Sequence, residues 1–381
     1  MTKMQKGILV GFIAALTAIL GLLTVILPKK DYSENENRYL EEFPEFSFEN
    51  IKDGSFMSDV ETYVSDHFAF RDVFMTVKTY YERATGRNRI NDIYMCGDGY
   101  YIEEYKPLEN ADRIAGAISR LAAAAKEQGS EFVAVLVPTA VSVESYRLPA
   151  TAKNASQAED IEKIKALVKA GETAGDSLFL DVTDALVRAG DRDQVFYKLD
   201  HHWTTAGAFA AYTELCKRLG LEPLERSAFK EETVSTDFKG SFYSKVNDLL
   251  AKPDDIVAFK SDRLKLTVSY PDKKVETDTL YAEEYLEKKD KYSYFLNNQN
   301  SFVEITNANA STDRTLAIVK DSYANCLVPF LCEHYAKVYV FDTRYYREKV
   351  SDFIKNEKVT DVIFLYNMYT IDKDTGIKGI E

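Results

Sequence analysis

Five short, largely apolar runs constrain this chain more than any other feature: Phe132–Val137, Leu178–Val182, Leu316–Val319, Val338–Phe341 and Val362–Leu365. They alternate with helical stretches. Ile114, Ile118, Leu121 and Ala125 form one stripe at helical spacing, ending near Gly129, and Ile161, Ile164 and Leu167-Val168 form another. Runs of four to six apolar residues bounded by turn signals read as strands buried on both faces, which a parallel sheet covered by helices provides. The expected fold class is therefore α/β, a mostly parallel sheet flanked by helices. Hydrophobic residues make up 45% of the 381, enough for such a core.

Ahead of this pattern, Gly7–Leu27 is an uncharged run of 21 residues, which as a helix spans roughly 31 Å, the thickness of a bilayer core. It ends in Leu27-Pro28-Lys29-Lys30 without a small-residue cleavage site, so it reads as a retained transmembrane helix and not a signal peptide. A short tail before one span and a long folded remainder favour a single-pass cell-membrane protein with its globular part extracytoplasmic. The expected organisation is a cytoplasmic tail and anchor over 1–30, a stalk and lead-in helices over 31–109, and the α/β domain over 110–381. In the middle segment Ser33–Arg38 is too polar to bury a face, whereas Met57, Val60, Tyr63 and Val64 recur at helical spacing before Asp66-His67-Phe68. Between about 222 and 312 the chain turns charged, with alternating pieces such as Leu264–Val268. That stretch reads as a strand-rich insertion.

The net charge of −13 and the lack of any basic block argue against a nucleic-acid partner. The 25 tyrosines suit sugar stacking or an ordinary core equally. Cys96, Cys216, Cys326 and Cys332 show no metal-ligand spacing, and no disulfide framework is expected from them.

Of four histidines, two adjoin in Asp200-His201-His202-Trp203, a loop entering a helix that Thr204 or Thr205 can cap. Residues two apart in an extended segment share a side, so Asp200 can reach the His202 ring while His201 faces elsewhere. A base and its orienting carboxylate need that relation. The partner nucleophile is Ser322, where Leu316–Val319 ends and Lys320-Asp321-Ser322-Tyr323 turns towards a helix. The carboxyl edge of a parallel sheet is where α/β enzymes place chemistry, and the Ser322 N–H can help bind an oxyanion. Other readings exist: Ser322 as a helix cap, Asp200 and His202 as a buried pair, Trp203 as packing, and Ser241 as a rival nucleophile. Adjacent histidines rarely converge on one ion, so no metal is expected. His201, Trp203, Tyr323 and Asn367, which follows the last strand, are candidates for contacting substrate or an oxyanion.

These segments together resemble the DHHW family, related to the alginate O-acetyltransferase proteins of the SGNH-hydrolase-like superfamily. The resemblance rests on Ser33–Arg38, Asp66–Arg71, Asp200–Trp203 running into Thr205-Ala206-Gly207, Gly240-Ser241-Phe242 and Val319–Tyr323. It implies an SGNH-like fold with Asp200 as orienting acid, His202 as general base and Ser322 as nucleophile. Lys320 stands where the usual Gly-Asp-Ser turn has glycine. The implied reaction is transfer of an acetyl group through a serine acyl-enzyme to a cell-surface or secreted polysaccharide, with no cofactor and with a multi-spanning membrane acyltransferase as donor. Water as acceptor would make the chain a carbohydrate acetylesterase. A non-catalytic surface glycan-binding or assembly protein is the reading from another class.

Overall fold

The computed structural model describes residues 2–33, 38–168 and 175–380, so most of the polar Ser33–Arg38 stretch lies outside the described residues. The chain forms two compact units: Met1–Asn91 with Tyr243–Leu250, and Asp92–Phe242 with Ala251–Glu381. The boundary falls before Asn110, where the helix and strand alternation begins.

The first unit carries α1 (Lys3–Ile26), α2 (Phe48–Asp53), α3 (Ser55–Asp66) and α4 (Arg71–Ala84). Thr2 caps α1, which is long and apolar enough to cross a membrane. The spacing from Met57 to Val64 does fold as helix, in α3, although Met57 and Val64 are exposed. Asp66 anchors the corner after α3, accepting a bidentate pair from Arg38 at 2.5 and 2.8 Å.

In the second unit, four of the five apolar runs become adjacent parallel strands. These are β1 (Glu131–Val137), β5 (Thr315–Lys320), β6 (Lys337–Phe341) and β7 (Asp361–Asn367). Almost every residue in them is buried, because helices cover both faces and no side is left for polar alternation. The whole sheet, however, is mixed. Strands β2 (Leu266–Tyr270), β3 (Val275–Thr277) and β4 (Phe302–Asn307) add antiparallel to the β6 side, giving the order β3-β2-β4-β6-β5-β7-β1. Thus part of the 222–312 stretch extends the main sheet. Lys230–Phe238 and Asp254–Lys260 pair separately.

Leu178–Val182 departs from expectation. Leu178 closes a 3₁₀ turn, Phe179 makes a single bridge to Ala134, and Asp181 turns away to accept the Thr183 N–H at 2.8 Å. A carboxylate in mid-run serves the next helix better than a ladder.

Candidate active site

The carboxyl ends of β5 and β7 build the floor of the site. After Lys320 the chain leaves β5 in a 3₁₀ turn, Ser322–Cys326, capped by Asp321, whose Oδ1 accepts the Tyr323 N–H at 2.9 Å. The other oxygen accepts the Asn367 backbone N–H at 2.8 Å and its side-chain amide at 2.6 Å. Asp321 is fully buried, and burial pushes its carboxyl up to about 6 despite these donors. Beneath it, Lys320 gives its ammonium to Asn325 Oδ1 at 2.8 Å and lies 3.7 Å from buried Asp342, which Arg344 grips. The lysine that replaces glycine in this turn therefore points into the protein, away from the serine.

Opposite stands the turn before α5 (Thr205–Arg218), which Thr204 caps by accepting the Gly207 N–H. Asp200 Oδ1 accepts the His202 backbone N–H at 3.0 Å and its Nδ1–H at 2.5 Å, so the carboxylate fixes both the turn and the tautomer. The other edge of the ring meets the serine hydroxyl: His202 Nε2 accepts from Ser322 Oγ at 2.7 Å. Asp200 and His202 are buried, whereas Ser322 is half-buried. Asp200 is steadied further by the Ser241 N–H on Oδ2 at 2.7 Å. A Cβ on Gly240 would collide with that carboxylate, so only glycine fits there.

Burial opposes ionisation of Asp200, but His201 and His202 more than offset it and hold the carboxyl well below the usual carboxylate range. Burial, reinforced by His201, pushes the His202 ring down to about 4 against the pull of Asp200. At neutral pH the pair is thus a carboxylate and a neutral imidazole able to take a proton from Ser322. Among the described residues the Ser322 N–H has no acceptor, which leaves it available to a developing oxyanion.

The structure brings the sequence candidates together with different roles. His201 does not face away: the turn is bent, its ring lies 3.8 Å from that of His202, and its Nδ1 reaches Ser241 Oγ at 2.8 Å and Asp200 Oδ1 at 3.5 Å. Ser241 accordingly sits on the acid side of the array. Trp203 is wholly buried and donates its indole N–H to the Tyr323 carbonyl at 2.8 Å, while the Tyr323 hydroxyl donates to the His201 carbonyl. These reciprocal bonds clamp the two turns together. Buried Asn367 holds Asp321 and Thr370 with its amide and accepts the N–H groups of Tyr369 and Thr370, so it braces the floor.

Sequence reasoning missed Tyr292, which stacks on the His202 ring at 3.7 Å and 13° and donates its hydroxyl to the Ser322 carbonyl at 3.1 Å. Nothing in the tyrosine-rich insertion distinguishes it. A cleft beside the site is lined by Glu103, Thr139, His201, Phe242, Tyr323 and Tyr369. Asp200, His201 and His202 have ligand-type atoms within 4.8 Å of one another. The 2.5 Å separation of Asp200 Oδ1 and His202 Nδ1 suits a shared proton, however, being shorter than two ligands each about 2 Å from one tetrahedral ion.

A family model described as DHHW protein matches residues 36–105 and 83–341. A crystal structure of a DHHW family protein from Eubacterium siraeum DSM 15702 aligns over 76% of this chain and 96% of its own, at 25% identity and a TM-score of 0.64. Bacillus cereus PatB1, solved with a sulfonyl adduct, aligns over 76% and 98%, at 18% identity and a TM-score of 0.63. The O-acetyltransferase domain of Pseudomonas putida AlgJ aligns over 74% and 92%, at 17% identity and a TM-score of 0.46. No functionally curated protein matches the sequence.

Proposed function

The chain belongs to the DHHW family, and from that premise we propose that it is a serine-dependent O-acetyltransferase acting on a cell-surface or secreted polysaccharide. The observation that carries this reading is the unbroken relay from Asp200 through His202 to Ser322, with contacts of 2.5 and 2.7 Å. In the first step His202 Nε2 takes the Ser322 proton as Oγ attacks the acyl carbonyl. The Ser322 N–H receives the oxyanion, and the imidazolium returns the proton to the leaving group. A sugar hydroxyl then gives its proton to His202 and attacks the acetyl-serine, releasing the ester and restoring the hydroxyl.

The acetyl group comes, on this reading, from a multi-spanning membrane acyltransferase, and α1 holds the chain in the same membrane with the catalytic unit extracytoplasmic. The half-exposed Ser322 also admits water as the second nucleophile, which gives an acetylesterase. Incubation with a chromogenic acetyl ester, with and without an oligosaccharide, separates the two: acetylated sugar marks transfer, free acetate alone marks hydrolysis. Ser322→Ala should lower ester cleavage by about three orders of magnitude or more. An unchanged rate would sink the enzyme reading. A sulfonyl fluoride, suggested by the PatB1 adduct, should label the parent chain and spare this variant.

A further inference from the structure

Helix α4 is amphipathic in an inverted sense. One face, with Thr76, Thr79, Tyr80 and Arg83, packs on the returning segment Tyr243–Leu250: Thr79 donates to the Val246 carbonyl, Tyr80 and Arg83 bond Asp248, and Asn247 donates to Thr76. The opposite face presents Val73, Phe74, Val77 and Tyr81, at i, i+1, i+4 and i+8, and Phe70 precedes them at the N-cap, each at least 47% exposed. A contiguous apolar stripe of this length needs a cover.

The same unit shows what lies beside it. The Ala69 N–H, one residue before the stripe begins, donates to Thr24 Oγ1 at 2.9 Å, and His67 Nε2 lies 3.2 Å from the Lys30 carbonyl. Thr24 is the only buried residue of α1 and lies three residues inside the end of the apolar run, roughly 4.5 Å by helical rise. The corner Phe68–Phe70 is therefore pinned at the level where a spanning α1 leaves the hydrocarbon. Phe70 adopts a left-handed conformation there, φ 62°, to launch α4 from that point.

We infer that α4 is an interfacial helix, lying along the bilayer that α1 crosses with Phe70, Val73, Phe74, Val77 and Tyr81 embedded at the headgroup and acyl boundary. The inference rests on the reading of α1 as a membrane span. Its partner is lipid because the stripe is continuous with the point where α1 meets lipid, and an aromatic and aliphatic mixture ending in Tyr81 suits that boundary.

The test uses the full chain reconstituted in phosphatidylcholine vesicles, with Phe74→Trp, Val77→Trp and Leu16→Trp made singly. Trp203, buried in the other unit, supplies a constant background measured on the unsubstituted chain. Brominated acyl chains should quench Leu16→Trp strongly and both α4 variants by about half as much or more, and acrylamide should quench them little. If Leu16→Trp is quenched by bromolipid but the α4 variants respond only to acrylamide, the anchor stands and the interfacial helix falls. Protection of the α4 variants from both quenchers would mean a protein cover, such as a second copy, and would equally overturn it. Failure to quench Leu16→Trp removes the span and this inference with it.

Discussion

Because burial and the neighbouring His201 push the His202 ring down to about 4, the imidazole that takes the Ser322 proton in the proposed mechanism stays neutral well below neutral pH. A base is lost when it is protonated, so kcat/KM for an acetyl ester should hold from pH 8 to about 5 and fall with a limb near 4. His201→Gln keeps a polar group beside Ser241 but removes the electrostatic influence of His201 that disfavours protonated His202. The limb should then move upward, towards the ordinary imidazole range. A limb that does not move in the pH profile would show that His201 has no such influence. Gly240 gives a steric test of the acid: in Gly240→Ala the new Cβ displaces the Asp200 carboxylate. Turnover should drop about a hundredfold, with loss of the downfield His202–Asp200 proton resonance as an independent readout.

At the scale of elements, what matters is how two turns from distant parts of the sequence are held in register. Trp203 gives its N–H to the carbonyl of Tyr323, and Tyr323 returns its hydroxyl to the carbonyl of His201, so each motif satisfies a backbone group of the other. Trp203→Phe retains an aromatic ring but leaves a buried carbonyl without its donor. The expected cost is about 1–3 kcal/mol in chemical denaturation together with a roughly tenfold or greater fall in turnover. A loss of stability with turnover intact would make the clamp structural only. Much of this was legible in the sequence. Parallel strands, buried on both faces, announce themselves as continuous apolar runs; the Asp321–Ser322 turn follows from where one of those runs stops, and Asp200–Trp203 from the helix that starts just after it. The antiparallel β2 was legible only as an alternating piece of the insertion, since alternation says nothing about which sheet edge it joins, and β4 was not singled out within that stretch. The Tyr292 stack, the Gly240 approach and the bend that returns His201 to Asp200 depend on tertiary contacts across the insertion, and composition carries no trace of them.

For the molecule as a whole, buried titratable groups in the larger unit pull stability in opposite directions with pH. His202 and His334 are both pushed down to about 4, mainly by burial, so the unfolded chain binds their protons first. Their contribution is full above about pH 6.5 and is lost as pH falls through 4. Glu144 works the other way. It is 3% exposed, Arg147 Nε is 3.6 Å from it, and burial pushes its carboxyl up to about 7. Its folded value lies above its unfolded one, so ionising it disfavours the fold: the cost is absent below about pH 4.5, grows as pH rises and is complete above about 7. Glu144→Gln removes that ionisation while keeping the shape. The variant should therefore be more stable than the parent by about 1–3 kcal/mol at pH 8, with the gain shrinking to nothing by about pH 4.5. Urea midpoints measured at both pH values check the sign. A variant that is less stable at pH 8 would mean that the Arg147 ion pair outweighs the burial of the carboxylate, and that the acid is held charged by its partner.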